Sequence, residues 1–249
     1  VGGGIAGIVG CAISTRERVV DAGCAVTRLV SAILARNEAD ESRYLRRVIK
    51  RCQEFSDAVL VLDDGSTDGT AQVARDLGCV VAERSADSAW GAEAPARREL
   101  WERAATLADG GWVLICDADM VLRGDPRTLT DSWAVASWAW PLADVWNDES
   151  TARVDGPWGF GPRIPRPWLF RPSALQAAPV WSSRGVHCGH APENFAVLGP
   201  SGVAPDDTYW LHLAYLKPEH RVAKHAQYMR IAGQLSEFER AHAASILDA

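Results

Sequence analysis

Four short apolar runs, each followed by a polar break, constrain this chain more than any other feature. They are RLVSAILA (28–35), AVLVLDD (58–64), CVVAE (79–83) and GWVLICDAD (111–119). Runs of this length, rich in Val, Ile and Leu and bounded by turn residues, read as buried strands. Between the first two, ESRYLRRVIKRCQEF (41–55) sets Tyr44, Leu45, Val48, Ile49 and Cys52 on one helical stripe, with arginines on the other side. TAQVARDLG (70–78) reads as a second helix, capped by Ser66 or Thr67 and stopped by Gly78. A third helix covers about 93–108. Strands that alternate with helices imply an α/β fold, a mostly parallel central sheet with helices on both faces.

Beyond about residue 124 the character changes. SWAVASWAWPLADVW and DGPWGFGPRIPRPWLFRP are rich in Trp, Pro and Gly, which predicts long loops and short antiparallel strands. EFERAHAASIL (237–247) is expected to close the chain as a helix. There is no internal repeat and no linker, so the expected organisation is a lead-in over 1–27 and one domain over 28–249. Many of the eleven tryptophans fall between Trp133 and Trp181, where they either wall a pocket or interface or fill a core.

Composition excludes several classes. With a net charge of −6 and no basic block, a nucleic-acid partner is disfavoured. The six cysteines form no C-x-x-C pair and several sit in apolar runs, the pattern of reduced thiols in a cytoplasmic protein. No stretch reaches the ~18 consecutive apolar residues of a membrane span. The opening VGGGIAGIVGCAI lacks the basic leader and cleavage site of a secretory signal. Gly2 to Gly7 satisfy G-x-G-x-x-G, but only Val1 precedes them, so the strand that a dinucleotide fingerprint requires is missing. His187, Cys188 and His190 lack a fourth ligand for a zinc site.

Asp63, Asp64, Asp117 and Asp119 all fall at the carboxyl ends of predicted strands. Ligands of parallel α/β sheets bind beyond those ends. Four carboxylates there form a negative crevice that either holds a cation or destabilises itself. Hard oxygen ligands select Mg²⁺ or Mn²⁺, and Mg²⁺ is commonly shared between one or two carboxylates and substrate phosphates. A nucleoside diphosphate is the natural partner.

Asn37-Glu38 after the first strand, then VLDDGSTDGT, an arginine in a helix and a strand-terminal CDADM resemble the family-2 glycosyltransferases with the GT-A fold, in order over about 28–125. LHLAYLKPEHRVAKHAQY (211–228), LFRP and the Trp181 to His187 spacing are similar to one bacterial branch of that family. The resemblance implies that Asp64, with Asp63, binds the uracil or ribose of a nucleotide sugar, and that Arg97 lies near the nucleotide. Asp117 would face the ribose or metal, Asp119 would bind the Mn²⁺ or Mg²⁺ that bridges the diphosphate, and His212 would complete the metal shell. Arg221 and Lys224 would offset phosphate charge. It further implies that residues 28–124 bind the donor, a UDP-sugar being favoured, and that 125–249 bind the acceptor. The resemblance leaves the acceptor open among a saccharide, a lipid-linked intermediate, a small molecule and a protein.

The same resemblance implies an inverting, hexosyltransferase-like enzyme whose acceptor hydroxyl needs a general base. The family's usual E-D or H-E pair is replaced here by His187-Cys188, so the base is expected at Glu193, with Asp206 and Asp207 behind it. Two other classes compete. A nucleotidyltransferase needs a glycine- and arginine-rich loop after its first strand, whereas ARNEADES has no glycine. A non-catalytic carbohydrate- or nucleotide-binding module would explain the missing E-D pair.

Overall fold

The computed structural model describes residues 27–85, 93–182 and 189–248. The first half alternates as expected: β1 (Leu29–Ala35), α1 (Leu45–Phe55), β2 (Ala58–Asp63), α2 (Thr70–Asp76), β3 (Val80–Glu83), α3 (Glu93–Ala108) and β4 (Trp112–Asp117). β5 (Met120–Arg123) follows after a two-residue turn, then β6 (Ser137–Trp140), β7 (Leu142–Trp146), β8 (Asp148–Ala152), the short α4 (Phe160–Arg163) and β9 (Arg166–Phe170). The chain closes with β10 (Ser201–Val203), β11 (Tyr209–His212), α5 (Pro218–Arg230) and α6 (Glu237–Ser245).

A seven-stranded sheet has the order β10-β6-β9-β4-β1-β2-β3, and β4, β1, β2 and β3 run parallel. β9 joins it antiparallel to both β4 and β6. The side-chain alternation of β1 divides the core. Leu29 and Ile33 pack with Leu45, Val48, Ile49 and Cys52 of α1, while Val30 and Ala32 pack with Leu100, Trp101 and Ala104 of α3. Alternate residues of a strand face opposite sides, so one apolar run supplies both interfaces. Each fully buried large side chain contributes about 1.5–3 kcal/mol. The α/β class with helices on both faces is what the sequence predicts.

A second sheet, β5-β11-β7-β8, stands beside the first. It takes β5 from before residue 124 and β11, β7 and β8 from after it, while β9, β6 and β10 extend the central sheet. The two halves therefore interlock through both sheets. Most of the tryptophans are core. Trp112, Trp140, Trp158, Trp168 and Trp210 are all fully buried.

Three local expectations are corrected. α1 starts at Leu45 because Asp40 first forms a turn, accepting from the Ser42 N–H at 2.7 Å and, through its carbonyl, from that of Arg43 at 3.0 Å. Neither Ser66 nor Thr67 caps α2. Asp68 accepts the Thr70 N–H at 2.9 Å instead. The run over 111–119 is not one strand, since it breaks after Asp117 and resumes at Met120 in the other sheet. Gly78 does end α2, with φ +77°, and α6 starts on a full capping box between Ser236 and Glu239. The glycines at 2–7, His187 and Cys188 lie outside the described residues. Cys52, Cys79 and Cys116 are free thiols. No helix among the described residues is long and apolar enough to cross a membrane.

Candidate functional site

Register brings the strand-end carboxylates together. Ala35 of β1 lies opposite Asp63, and Leu34 lies opposite Asp117, so β1, β2 and β4 finish at one edge. A crevice of about 1340 Å³ opens there, and Asp64, Arg97, Asp117, Asp119, His212 and Lys224 all line it. Asp63, Arg221, Glu193 and Asp207 do not.

The loops beneath the crevice explain the Ser, Thr and Asp content of GSTDGT. Asn37, in the left-handed region at φ 55°, receives the Thr67 N–H on its Oδ1 at 2.9 Å and donates its own N–H to Ser66 Oγ at 2.9 Å. Glu38 N–H reaches Thr70 Oγ1 at 2.7 Å, and Ala39 N–H reaches Asp68 Oδ2 at 3.1 Å. These side chains stand in for ladder bonds and lock the β1–α1 turn to the β2–α2 turn. Asp63 belongs to this scaffold. It is buried and accepts the Ser66 N–H at 2.9 Å, so its expected nucleotide contact gives way to a turn. Gly65, at φ 70°, lets the chain reverse directly after Asp64. Asp64 faces the crevice, held by Arg84 and, at 3.9 Å, by Arg36.

Asp117 and Asp119 look two ways because the strand breaks between them. The Asp117 carboxylate takes Arg97 on Oδ1 and the His190 Nε2–H on Oδ2 at 2.8 Å. Burial would raise its pKa, but Arg97 and His190 together hold it well below the ordinary value. His190 packs on Trp168 with ring centroids 4.7 Å apart. Sequence reasoning considered His190 only as a zinc ligand. Its role here is signalled by no local pattern, since 73 residues separate it from Asp117.

Asp119 faces the second sheet. Its Oδ1 is buried with no hydrogen-bond partner and lies 3.6 Å from His212 Nε2, beyond hydrogen-bond length. The other ring nitrogen, Nδ1, donates to Asp144 Oδ1 at 2.6 Å. β11 pairs with β7 so that His212 sits opposite Asp144, which makes this contact a consequence of register. Burial opposes the charged imidazole, yet Asp119 and Asp144 outweigh it and lift the His212 pKa to about 10. Asp119 is correspondingly lowered against its own desolvation. Asp144 was not singled out in the sequence, where it lies inside the tryptophan-rich run.

Lys224 reaches the crevice from α5. Its burial, which disfavours charge, is outweighed by Tyr228, Asp119, Asp117 and Glu93, so its pKa is raised. Glu38 is buried beside it in a two-pronged pair with Arg43, and desolvation pushes its pKa up to about 7. Arg221, expected to face phosphate, is turned away. It donates to the Tyr215 carbonyl at 2.9 Å and to Asn147 Oδ1 at 3.0 Å, with its guanidinium over Trp146. Glu193 is exposed on the turn that bonds back to Val180, and Asp207 is exposed just before β11. Neither lines the crevice, where the base is expected.

Among the described residues no group of three or more His, Cys, Asp or Glu side chains is arranged to hold a metal ion. Asp119 and His212 nevertheless supply a buried, unpartnered carboxylate oxygen and an imidazole whose far nitrogen is fixed by a carboxylate. That is the outer-shell arrangement of metal-binding histidines. Two protein ligands suit a cation that takes its remaining ligands from phosphate and water.

Residues 32–127 match the family model described as glycosyl transferase family 2. The match runs from within β1 through β5 and leaves the rest of the chain outside it. The matched segment contains Asp64, Arg97, Asp117 and Asp119, whereas Asp144, His190, His212 and Lys224 come from beyond it. No curated protein matches the chain. Solved structures resemble it at low identity. Residues 1–349 of TarS from S. aureus are 16% identical, with 88% of this chain and 69% of that one covered at a TM-score of 0.45. Mannosyl-3-phosphoglycerate synthase from Rubrobacter xylanophilus is 17% identical over 85% and 77% of the two chains, with a TM-score of 0.44. Glucosyl-3-phosphoglycerate synthase from Mycobacterium tuberculosis is 17% identical over 88% of each chain, with a TM-score of 0.45. That structure holds Mn²⁺, UDP-glucose and phosphoglyceric acid.

Proposed function

We propose that this chain is a metal-dependent glycosyltransferase that moves a sugar from a nucleoside-diphosphate sugar, a UDP-sugar by preference, to an acceptor hydroxyl with inversion. The observation that carries the reading is the row Asp144, His212, Asp119 at the crevice, 2.6 Å and 3.6 Å between successive members. It lies beside the strand-end carboxylates of the matched segment.

In this reading residues 28–124 hold the donor and 125–249 hold the acceptor. Asp64 accepts hydrogen bonds from the nucleoside. Arg97 fixes Asp117, which faces the ribose. Lys224 offsets diphosphate charge from α5. Asp119 and His212 would hold Mn²⁺ or Mg²⁺, His212 as the neutral imidazole with its Nδ1–H kept on Asp144. When bound there, the cation supplies Lewis acidity to the departing diphosphate. The acceptor hydroxyl gives its proton to a group that lines the crevice, which neither Glu193 nor Asp207 does. The acceptor is limited by Trp168 on one wall and by Phe160 and Phe238, an edge-to-face pair 5.5 Å apart, on another.

A non-catalytic nucleotide- or sugar-binding module is the second reading. It is favoured by Asp117, whose two oxygens are both engaged by protein groups. Incubation of purified protein with UDP-glucose and Mn²⁺ separates the two. The transferase releases UDP slowly by donor hydrolysis and stops doing so as Asp119→Ala, whereas a binding module releases none in either form.

A further inference from the structure

The arginine face of α1 takes no part in the donor site. Arg46, Arg47, Lys50 and Arg51 occupy it, opposite the buried stripe of Leu45, Val48, Ile49 and Cys52, and Arg43 precedes the helix. With Arg123 and Lys217 they line a second concavity of about 860 Å³, in which the lining carboxylates among the described residues are Glu41 and Glu54. Seven cations against two carboxylates leave a strong positive surplus, in a chain whose net charge is −6. Such segregation focuses potential in a groove and concentrates anions there.

Part of this charge is already neutralised. Arg43, Arg47 and Arg51 pair with Glu38, Glu149 and Glu54, and Arg123 lies 3.6 Å from the same Glu149. The rest is not. Arg46 and Lys50 have neither an ion-pair nor a hydrogen-bond partner among the described residues, and Arg46 Nε is buried without one. Lys217 Nζ donates only to a carbonyl, that of Ser42 at 3.2 Å. The Tyr44 hydroxyl in the same wall is buried and unpartnered, although Tyr44 is only 8% exposed. Buried polar groups without partners are rare and call for a ligand or water to complete them. The volume falls within the ~300–1,000 Å³ typical of small-ligand sites. Guanidinium groups present paired donors that match phosphate oxygens.

We propose that this groove binds a phosphate-bearing ligand, an oligophosphate or phosphodiester, at a site separate from the donor crevice. The cations line a concavity rather than a flat face, so the ligand enters the groove instead of spreading beneath it as a membrane surface does. Arg43 lines both cavities, which makes the groove a neighbour of the crevice through one side chain. The inference stands whether or not the chain transfers sugar.

Calorimetric titration of the full chain with inorganic tripolyphosphate, in EDTA and at low salt, tests it. Binding is expected in the wild type, weakened at least about tenfold in Arg46→Gln/Lys50→Gln and preserved in Asp119→Ala. Lys50→Glu serves as a second variant if the double one melts early. Absence of binding, or binding that neither groove variant weakens, overturns the proposal. So does sedimentation with phosphatidylserine vesicles that tripolyphosphate fails to displace, because that assigns the charge to a flat surface.

Discussion

Asp117 and Asp119 are separated by one residue yet serve different partnerships. Asp117 ends the central sheet, held by Arg97 from α3 and by His190. Asp119 opens toward the second sheet and meets His212, which Asp144 holds from behind. The break in the strand between them is what allows two carboxylates of one short run to do two things. One is held by the Arg97 guanidinium and the His190 ring, and the other keeps a buried oxygen without a hydrogen-bond partner.

Asp144 fixes the His212 ring through the Nδ1 contact at 2.6 Å. Asp144→Ala is expected to weaken Mn²⁺ binding, measured by titrating the melting temperature with UDP present, by about 10–100-fold. Asp144→Asn, whose carbonyl can still accept the Nδ1–H, recovers much of it. Unchanged metal affinity in the alanine variant would remove Asp144 from the account.

Glu38 gives a pH signature. Its pKa in the folded chain, about 7, lies above the ordinary 4.5, so the folded state holds the proton more tightly than the unfolded chain. The associated stability is complete below about pH 4.5 and is lost as pH rises through about 7. Glu38→Gln cannot titrate, and its melting curve against pH in EDTA should lack that decline. Parallel curves for the two proteins would contradict the shift.

The exposed carboxylates offer a negative control. Glu193→Gln and Asp207→Asn alter neither the crevice nor the core, and surface changes of this kind stay within about 0.5 kcal/mol. Sugar transfer or donor hydrolysis should hold within about twofold of wild type. A thousandfold loss in either would restore it as the base.

Arg97 is 7% exposed at its side chain and pairs with a carboxylate that is 28% exposed. Its removal leaves Asp117 with His190 alone. Arg97→Ala should cost about 3 kcal/mol, the low end for breaking a buried pair because Asp117 keeps some solvent. Denaturant unfolding measures this directly. Arg97→Lys should recover only part of it, since a single ammonium cannot reproduce the fork. A change near zero would mean that Asp117 is adequately solvated without Arg97.

The order of strands and helices over 28–117 is legible in the sequence because its signals are local. Val- and Leu-rich runs of six or seven residues fixed the strands, and a polar residue at each strand end had few other places to lie. Asp64, Asp117 and Asp119 were legible for that reason. The misplacements came where geometry depends on distant chain. Arg221 and Lys224 are three residues apart on one helix, yet the Tyr215 carbonyl and the Trp146 face draw Arg221 away from the crevice. His190 and Asp144 are brought in by a loop and a cross-strand register that no window of sequence displays. Glu193 rested on the family's habit rather than on any pattern in this chain.

The central claim is that Asp119 and His212 hold a divalent cation shared with a nucleoside diphosphate. Thermal unfolding with UDP, in Mn²⁺ and in EDTA, tests it most directly, because a ligand of the folded state raises its stability by RT ln(1 + [L]/Kd). The account predicts a rise with UDP and Mn²⁺ together, lost in EDTA and lost in both Asp119→Ala and His212→Ala. Equal stabilisation by UDP in EDTA, or an undiminished rise in the two variants, would contradict it.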